Sequence, residues 1–382
     1  MSYQAGDPKA TGLDTARASI RRRTLLAAMC GGAVTLGRHS AGAQEASPSP
    51  AAEASVVPDQ AGTEITGTPA PRRGDVTIYS GRSETLVGPW FELFDHESGI
   101  DLTIRYAGSG ELAAALLEEG SRSPASAFFA QDGGALGLLA TEGLFRPLPE
   151  DLLQRVPERF RSPDGLWVGI TGRARVLVYS TERVDPALLP ASVMDLVNDP
   201  WRGRTGWAPE NASFQSFVTA MRLMKGEDAA RAWLEGMIDA GAINFGDSNT
   251  AIVRAIGSGE IDLGLVNHYY LYAVKKEEGE DFPAATHFFA PDDPGSLINV
   301  SGVGLLAAAP QRELALEVID GLLSERGQEY FLEETNEYAL VEGLPAPEGL
   351  KPITETASPD IDLGSLADLR GTLTLMAEVG LL

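Results

Sequence analysis

From about residue 75 onward the chain alternates short apolar runs with amphipathic stretches. Val76–Tyr79 predicts a strand, and the amphipathic stretch 84–97, followed by Gly99, predicts a helix. Two further predicted strands, 102–105 and 127–129, follow with helices after each. A β-α-β-α-β order of this kind favours a parallel sheet with right-handed crossovers.

The same alternation starts again in the second half of the chain. In chain order the sequence predicts a strand at 205–207, helices at 213–224 and 228–238, a strand at 243–245, a helix at 250–256 and a strand at 261–266. The apolar runs 167–170, 176–179 and 299–306 are placed to carry the chain between the two halves. The sequence therefore predicts an α/β protein with two lobes that enclose a cleft.

The first 73 residues have a different character. Consecutive arginines at 21–23 precede an apolar stretch, roughly 25–36, that is too short to span a bilayer. With the A-x-A site at 41–43, this pattern favours a twin-arginine export signal over residues 1–43, with a Sec signal as the alternative. Cys30 offers the alternative of a lipid anchor, although the residues before it fit that pattern poorly. Residues 44–73, rich in Ala, Pro and Ser, predict a disordered linker.

Charge and composition exclude several classes of function. Acidic residues outnumber basic ones 54 to 30, and a net charge of −24 disfavours nucleic acid and anionic membranes as partners. The single cysteine lies in the predicted export signal, so we expect no thiolate metal site in the folded part. No later segment is apolar enough to span a membrane, and no P-loop, G-x-S-x-G or H-E-x-x-H motif is present. A hydrolase on this scaffold is therefore the least favoured class, and a monomer is expected.

The loops after the predicted strands carry the candidate chemistry, because ligands of open α/β sheets bind beyond the carboxyl ends of the strands. Tyr269 and Tyr270 come directly after an inner strand. Phenolate oxygen is a hard anionic ligand that suits Fe(III) better than soft metals. Two adjacent tyrosines near a strand end are more often packing residues, so spacing alone does not establish a metal site. Asn211, Ser213 and Asn249 stand at predicted helix starts, where they can cap the helix or seat an anion.

Several segments together resemble the ferric-iron-binding proteins of bacterial periplasmic ABC importers. They are YSGRSE (79–84), YAGSGELAAALLEEG (106–120), FFAQDGGALG (128–137), TGRARVLVY (171–179), GWAPENASFQSFVTAMR (206–222), GEIDLGLVNHYYLY (259–272), DPGSLINVSGVGLL (293–306) and EYALVEG (337–343). The resemblance covers about 76–345 and implies a type II periplasmic-binding-protein fold, or Venus flytrap, with hinge crossings. The implied lobes are 74–175 with 299–348, and 176–298, followed by a helical segment, 349–382, on the second lobe.

The resemblance also implies a binding site for iron. By position, Tyr269 and Tyr270 are similar to the tyrosine pair that binds Fe(III) in the family. A synergistic anion (phosphate, carbonate or citrate) is implied beside them. The positions predicted to contact the anion or ligand are Arg82, Ser83, Gln131, Asp132, Arg173, Asn211, Ala212, Ser213, Asn249 and Asn267. The two arginines are included because a guanidinium group matches the geometry of an oxyanion.

Three positions depart from the family pattern. Ser83 stands where well-studied members have a histidine, and Gln131 where they have a glutamate. Trp207 stands where some members have a third tyrosine. Two protein ligands then remain, and the other positions fall to the anion, water, or a neighbour such as Asp132 or Glu210. An open coordination sphere of this kind suits a ferric chelate as well as free Fe(III).

The implied function is that of an exported solute-binding protein that captures Fe(III) and delivers it to an ABC permease and its ATPase, without catalysis. It would act in the periplasm or on the extracellular face of the membrane. The alternative keeps the fold and changes the cargo to a phosphonate, a sugar phosphate or a polyamine. The missing histidine and glutamate favour that alternative, and the adjacent tyrosines oppose it.

Overall fold

The computed structural model of the chain describes residue 65 and residues 67–353, 355–356 and 358–382. The predicted export signal, Cys30 and residues 44–64 and 66 of the predicted linker lie outside the described residues. Within the described part, no helix is long and apolar enough to cross a membrane.

Strands and helices alternate along most of the described chain. The strands are β1 (Gly74–Ser80), β2 (Ile100–Tyr106), β3 (Ala127–Ala130), β4 (Val168–Ser180), β5 (Thr205–Trp207), β6 (Ile243–Asn244), β7 (Leu263–Asn267), β8 (Ala284–His287), β9 (Ile298–Leu305) and β10 (Tyr338–Ala339). The α-helices are α1 (Glu84–Ser98), α2 (Ser109–Glu119), α3 (Gly133–Thr141), α4 (Glu150–Leu153), α5 (Ala212–Lys225), α6 (Glu227–Asp239), α7 (Asn249–Ser258), α8 (Tyr269–Glu278), α9 (Arg312–Leu322), α10 (Glu325–Thr335) and α11 (Leu369–Glu378).

The sheet consists of two groups of parallel strands joined by antiparallel ones. Its order is β2-β1-β3-β9-β4-β7-β5-β6, and β8 and β10 also pair with β4. In the first group β1 is parallel to β2 and β3, and in the second β5 is parallel to β6 and β7. Strand β4 pairs with β9 through Val168–Ala174 and with β7 through Arg175–Tyr179. The apolar runs predicted at 167–170 and 176–179 are therefore one long strand that passes from one group to the other.

Each group of strands has its own aromatic core. Phe128 and Phe129 of β3 are fully buried, and Phe129 meets Phe91 edge to face at 6.3 Å. In the second group, Trp207 of β5 meets Phe214 of α5 edge to face at 5.6 Å. Edge-to-face aromatic contacts therefore contribute to the packing of both groups of strands.

The C-terminal segment contacts both halves. Helix α11 packs on α5, where the Thr219 and Thr372 hydroxyls are 2.7 Å apart. The 3₁₀ turn Leu363–Ala367 packs instead on α3. A Cβ on Gly137 of α3 would lie 2.0 Å from the carbonyl oxygen of Gly364, so this contact requires glycine. The segment predicted to belong to the second lobe thus also covers part of the first.

The last residues of the predicted linker are in contact with the fold. The amide of Ala70 donates to the carbonyl of His96 at 2.9 Å, and the amide of Arg73 donates to Gly99 at 2.8 Å. Arg72 and Arg73 also form ion pairs with Asp95 and Glu317, respectively. Residues 70–73 therefore lie against the end of α1 and against α9, a few residues before the predicted start of the folded part.

Candidate functional site

Three helices begin side by side at the carboxyl edge of the second group of strands. Strands β5, β6 and β7 are parallel neighbours, so the loops that follow them meet at one edge of the sheet. Helix α5 begins at Ala212, α7 at Asn249 and α8 at Tyr269, directly after these loops. The amide nitrogen of Asn211 donates to the carbonyl of Asp247 at 3.0 Å and ties two of the loops together. The unpaired amides at helix starts make such an edge favourable for anions.

The tyrosine pair stands at this edge. Tyr269 and Tyr270 form the first turn of α8 rather than the preceding loop, and both are half-buried. Their ring centroids are 4.4 Å apart with an interplanar angle of 34°. The amide of Asn267, at the end of β7, approaches the Tyr269 hydroxyl at 3.5 Å. Two neighbouring phenol groups beside a polar edge can supply hard oxygen ligands to one cation.

His268, the residue before the pair, is fully buried and hydrogen-bonded on both sides. Its Nδ1 accepts from the amide of Ala174 at 3.1 Å, so Nε2 carries the proton and donates to the carbonyl of Asn336 at 2.8 Å. Burial lowers the pKa of His268 to about 4, which keeps the imidazole neutral at pH 7. Its ring also contacts the Tyr269 ring edge to face at 5.7 Å.

Arg175 is a site residue that sequence reasoning missed. It is 2% exposed and lies opposite Asn267 in the β4–β7 ladder. Its guanidinium donates to the carbonyl of Leu265 at 2.9 Å and to the Ser213 hydroxyl at 3.4 Å, and lies over the Phe217 ring at 5.3 Å. Burial lowers its pKa to about 9, an effect that negative charge on Tyr270 and Tyr269 would oppose, and the group is still a cation at pH 7.

No carboxylate among the described residues lies within ion-pair distance of Arg175, and its Nε has no partner there. A buried cation without a counter-ion is costly unless a ligand supplies the negative charge. The sequence carries arginines at both 173 and 175, on the same face of a strand, and only the fold separates their surroundings.

Two of the predicted anion-contact residues of the second half, Ser213 and Asn267, are next to Arg175. Asn211 caps α5, accepting from the Ser213 amide at 2.9 Å and from its hydroxyl at 2.5 Å. Ala212 is exposed at the first position of that helix. The predicted group Asn211, Ala212, Ser213, Asn249 and Asn267 thus lies along one edge of the sheet.

Asn249 is the least satisfied residue of this group. It is fully buried at the first position of α7, while Ser248 provides the helix cap by accepting from Ala251 at 3.2 Å. Neither the nitrogen nor the oxygen of its amide has a hydrogen-bond partner in the described part of the chain. Buried amides are almost always hydrogen-bonded, so an unpartnered one indicates a place for a polar ligand or water.

The predicted residues of the first half lie at the ends of β1 and β3, which are also parallel neighbours. Ser83 is exposed and precedes α1, with its hydroxyl 3.3 Å from that of Thr85. Asp132 caps α3 by accepting from the Ala135 amide at 3.0 Å. Gln131 is half-buried, and its carbonyl accepts a short hydrogen bond from Arg173 of β4. Strand β4 therefore sends Arg173 toward the first half and Arg175 toward the second.

Arg82 has a partner inside the protein. Its two terminal nitrogens donate to the two carboxylate oxygens of Glu337 at 3.0 and 3.1 Å, and both side chains are almost fully buried. Glu337 also accepts from the Thr171 hydroxyl at 2.5 Å. Burial alone would raise the pKa of Glu337, but the charges of Arg82 and Arg173 hold it below its usual value. In this structure Arg82 is thus engaged by Glu337, and its predicted anion contact stays a prediction.

Two further features bear on the ligand set. Trp207, which the resemblance aligns with a third tyrosine of some members, is buried in the aromatic core of the second group, with the Trp233 ring 6.1 Å away. Within the described ranges, no group of three or more His, Cys, Asp or Glu side chains is arranged to hold a metal ion. A cation at the tyrosine pair would therefore need other ligands than a cluster of these described side chains.

The chain is similar over most of its length to known solute-binding proteins. A family model described as bacterial extracellular solute-binding protein matches residues 124–358. The Fe(3+)-binding periplasmic protein of Serratia marcescens is 34% identical over 312 residues, which cover 80% of this chain and 90% of that protein.

Solved structures of similar proteins have the same fold. Iron-bound HitA from Pseudomonas aeruginosa is 34% identical, with a TM-score of 0.72 over 81% of this chain and 100% of that chain. The Trichodesmium protein IdiA (FutA), solved with iron and citrate, is 28% identical, with a TM-score of 0.71 over 81% of this chain and 100% of that one.

Fold and similarity together define a two-lobed periplasmic binding protein, a class that binds solutes for transport and does not catalyse reactions. The predicted α/β, two-lobed fold is confirmed. The chain belongs to the bacterial extracellular solute-binding protein family, and its predicted resemblance to ferric-iron-binding members is confirmed.

Proposed function

We propose that this protein captures Fe(III), alone or as a small chelate, and delivers it to the permease of an ABC importer. Tyr269 and Tyr270 act as the protein ligands, and a synergistic anion completes the coordination. The names of similar proteins, such as the Fe(3+)-binding periplasmic protein of Serratia marcescens, support iron as the cargo. The observation that carries the proposal is the pair of half-buried tyrosine rings, 4.4 Å apart, at an edge lined with anion-favouring groups.

In this proposal the anion binds to residues other than the two tyrosines. Arg175 supplies a buried positive charge without a carboxylate partner among the described residues, and Asn249 supplies an amide whose hydrogen bonds are unmade there. An anion bridging these groups and the metal would satisfy both and would neutralise part of the Fe(III) charge. Phosphate, carbonate and citrate all have the required oxygens, and the iron-and-citrate complex of the Trichodesmium protein favours testing citrate first.

Capture then follows the motion expected of a clamshell. The second lobe, 176–298, binds the metal through the tyrosines, and closure brings the loops at Ser83 and Gln131 of the first lobe over it. The permease recognises the closed form. No covalent bond is made or broken, so Ser83 and Gln131 need only offer polar contacts to the anion or to bound water.

The test is the colour and affinity of the iron complex. The purified protein mixed with ferric citrate should turn orange-red, because phenolate ligands give a charge-transfer band with Fe(III). Y269F and Y270F should each weaken and shift the band and lose at least about tenfold in affinity, since each removes one of the two anionic ligands. Y272F is the matched control, because Tyr272 lies on the same helix one turn further on. Wild-type affinity and colour in both tyrosine variants would refute the proposal.

We also propose that the protein is exported to the periplasm by the twin-arginine route, as the arginines at 21–23 indicate. Replacing Arg22 and Arg23 by lysine should leave unprocessed protein inside the cell. Cys30→Ala tests for a lipid anchor. If the same fraction of the protein is released from the membrane in this variant as in wild type, the protein is free. Normal export of the double lysine variant would contradict the twin-arginine route.

A further inference from the structure

The tyrosine pair is connected to a distant turn of the chain through His268. The Nε2 proton of His268 is donated to the carbonyl of Asn336 at 2.8 Å, across 68 positions of sequence. On its other side Nδ1 receives the Ala174 amide of the long strand β4. With both nitrogens engaged and no exposed surface, the imidazole has one orientation available.

Asn336 is itself a firm anchor. It ends α10 in the left-handed conformation, with φ of 53°, a region that asparagine tolerates better than most residues. The next residue, Glu337, is held by both terminal nitrogens of Arg82 and by the Thr171 hydroxyl. The carbonyl that receives His268 is therefore fixed by a buried ion pair immediately beside it.

The imidazole passes this restraint to the tyrosines. Its ring contacts two tyrosine rings. The centroid of Tyr338 is 5.0 Å away, and that of Tyr269, in an edge-to-face contact, is 5.7 Å away. Tyr269 in turn is 4.4 Å from Tyr270, so a rotation of the imidazole would displace both phenol rings. In a close-packed interior, a shift of one side chain displaces the side chains in contact with it.

We propose that His268 is a positioning residue, which locks the first turn of α8 to the Asn336 carbonyl and so sets the separation of the two tyrosine oxygens. This inference rests on the proposed function, since it concerns how the same pair is held for the metal. The hydrogen bond from His268 to the Asn336 carbonyl, rather than the bulk of the imidazole ring, then holds Tyr269 and Tyr270 in the geometry that binds the metal.

The test compares two amide replacements at position 268. In H268Q the side-chain amide can still donate to the Asn336 carbonyl, whereas the shorter amide of H268N can accept from Ala174 but does not reach Asn336. We expect H268N to bind Fe(III) about tenfold more weakly than wild type and H268Q to stay within about threefold, since one buried hydrogen bond is at stake. The charge-transfer band should shift in H268N and return toward its wild-type position in H268Q.

H287N is the matched control, because His287 also donates from Nε2 to a backbone carbonyl, that of Pro190, at 2.8 Å and is half-buried. It should change neither the band nor the affinity, whatever it does to the unfolding midpoint. Wild-type band and affinity in H268N would overturn the inference, as would equal losses in H268N and H268Q. Should H268N fail to fold, H268Q alone decides: binding within about threefold of wild type supports the inference, and a loss of about tenfold or more overturns it.

The outcome for the proposed function is read separately. If the wild-type protein shows no charge-transfer band and no Fe(III) affinity, the proposed function fails. If the wild type binds and loses binding in Y269F, but H268N binds as the wild type does, only the positioning role fails.

Discussion

Arg82 and Arg175 are both buried arginines on loops or strands that lead to the candidate site, and their surroundings are opposite. Arg82 is 1% exposed and has both terminal nitrogens on the carboxylate of Glu337. Arg175 is 2% exposed and meets only a carbonyl, a hydroxyl and two aromatic rings among the described residues. A neutralised buried charge supports the fold, whereas one without a counter-ion indicates where a negatively charged ligand belongs.

The largest effect is expected on the paired side. E337A leaves the Arg82 charge buried without a partner, and we expect a loss of about 3–5 kcal/mol in the free energy of unfolding. Urea unfolding measures it. The double variant R82M/E337L removes both charges and should recover most of the loss. A loss in the double variant as large as in E337A would show that shape, rather than charge pairing, holds this region.

The same pair predicts a pH dependence. Because the pKa of Glu337 is lower in the folded protein than its usual value near 4.5, its contribution to stability is present above that value. The contribution is lost as pH falls through the lower folded pKa. The difference in unfolding free energy between wild type and E337Q should therefore shrink below about pH 4.5. A difference that stays constant down to pH 3 would contradict the assigned shift.

The unpaired side should respond in binding rather than in stability. R175M removes a buried charge without a counter-ion, so the free energy of unfolding should stay within about 1 kcal/mol of wild type or rise. The affinity of R175M for Fe(III) in the presence of citrate should be about tenfold lower than that of wild type. The affinity of R175K should lie between those of wild type and R175M. Calorimetric titration and urea unfolding on the same samples give both values. A stability loss like that of E337A would remove the contrast between the two arginines.

The smallest effect is expected at Asn249. N249L has nearly the same shape and removes an amide that has no partner in the described part of the chain, so stability should change little. The dependence of iron affinity on anion concentration should weaken by about threefold, the effect of one lost neutral hydrogen bond. Titrating citrate at fixed iron measures this dependence. An unchanged dependence would remove Asn249 from the anion seat.

The periodic parts of the fold could be predicted closely. Helix α5 was predicted over 213–224 and spans Ala212–Lys225, and α6 was predicted over 228–238 and spans Glu227–Asp239. Helix periodicity and N-cap residues are local signals, so they can be read from neighbouring positions. The tyrosine pair was predicted in the loop after β7, whereas it forms the first turn of α8, a difference of one or two residues at an element boundary.

The partners of charged and polar residues could not be predicted in the same way. Arg82 meets Glu337 across 255 positions, and His268 meets Asn336 across 68. Arg173 and Arg175 are two residues apart in one strand, yet one reaches the carbonyl of Gln131 and the other the hydroxyl of Ser213. Nothing in the local pattern distinguishes them, because the difference comes from which loops the fold brings to each.

The sequence by itself determined the α/β class, the position of most helices and strands, and the two adjacent phenol groups after an inner strand. These follow from hydrophobic periodicity and residue type, which act over a few neighbouring positions. Only the tertiary structure decided that Arg82 is neutralised, that Arg175 is not, and that Asn249 is buried without a partner in the described chain. Burial and charge pairing depend on segments far apart in the sequence, up to 255 positions for Arg82 and Glu337, so they exist only once the chain has folded.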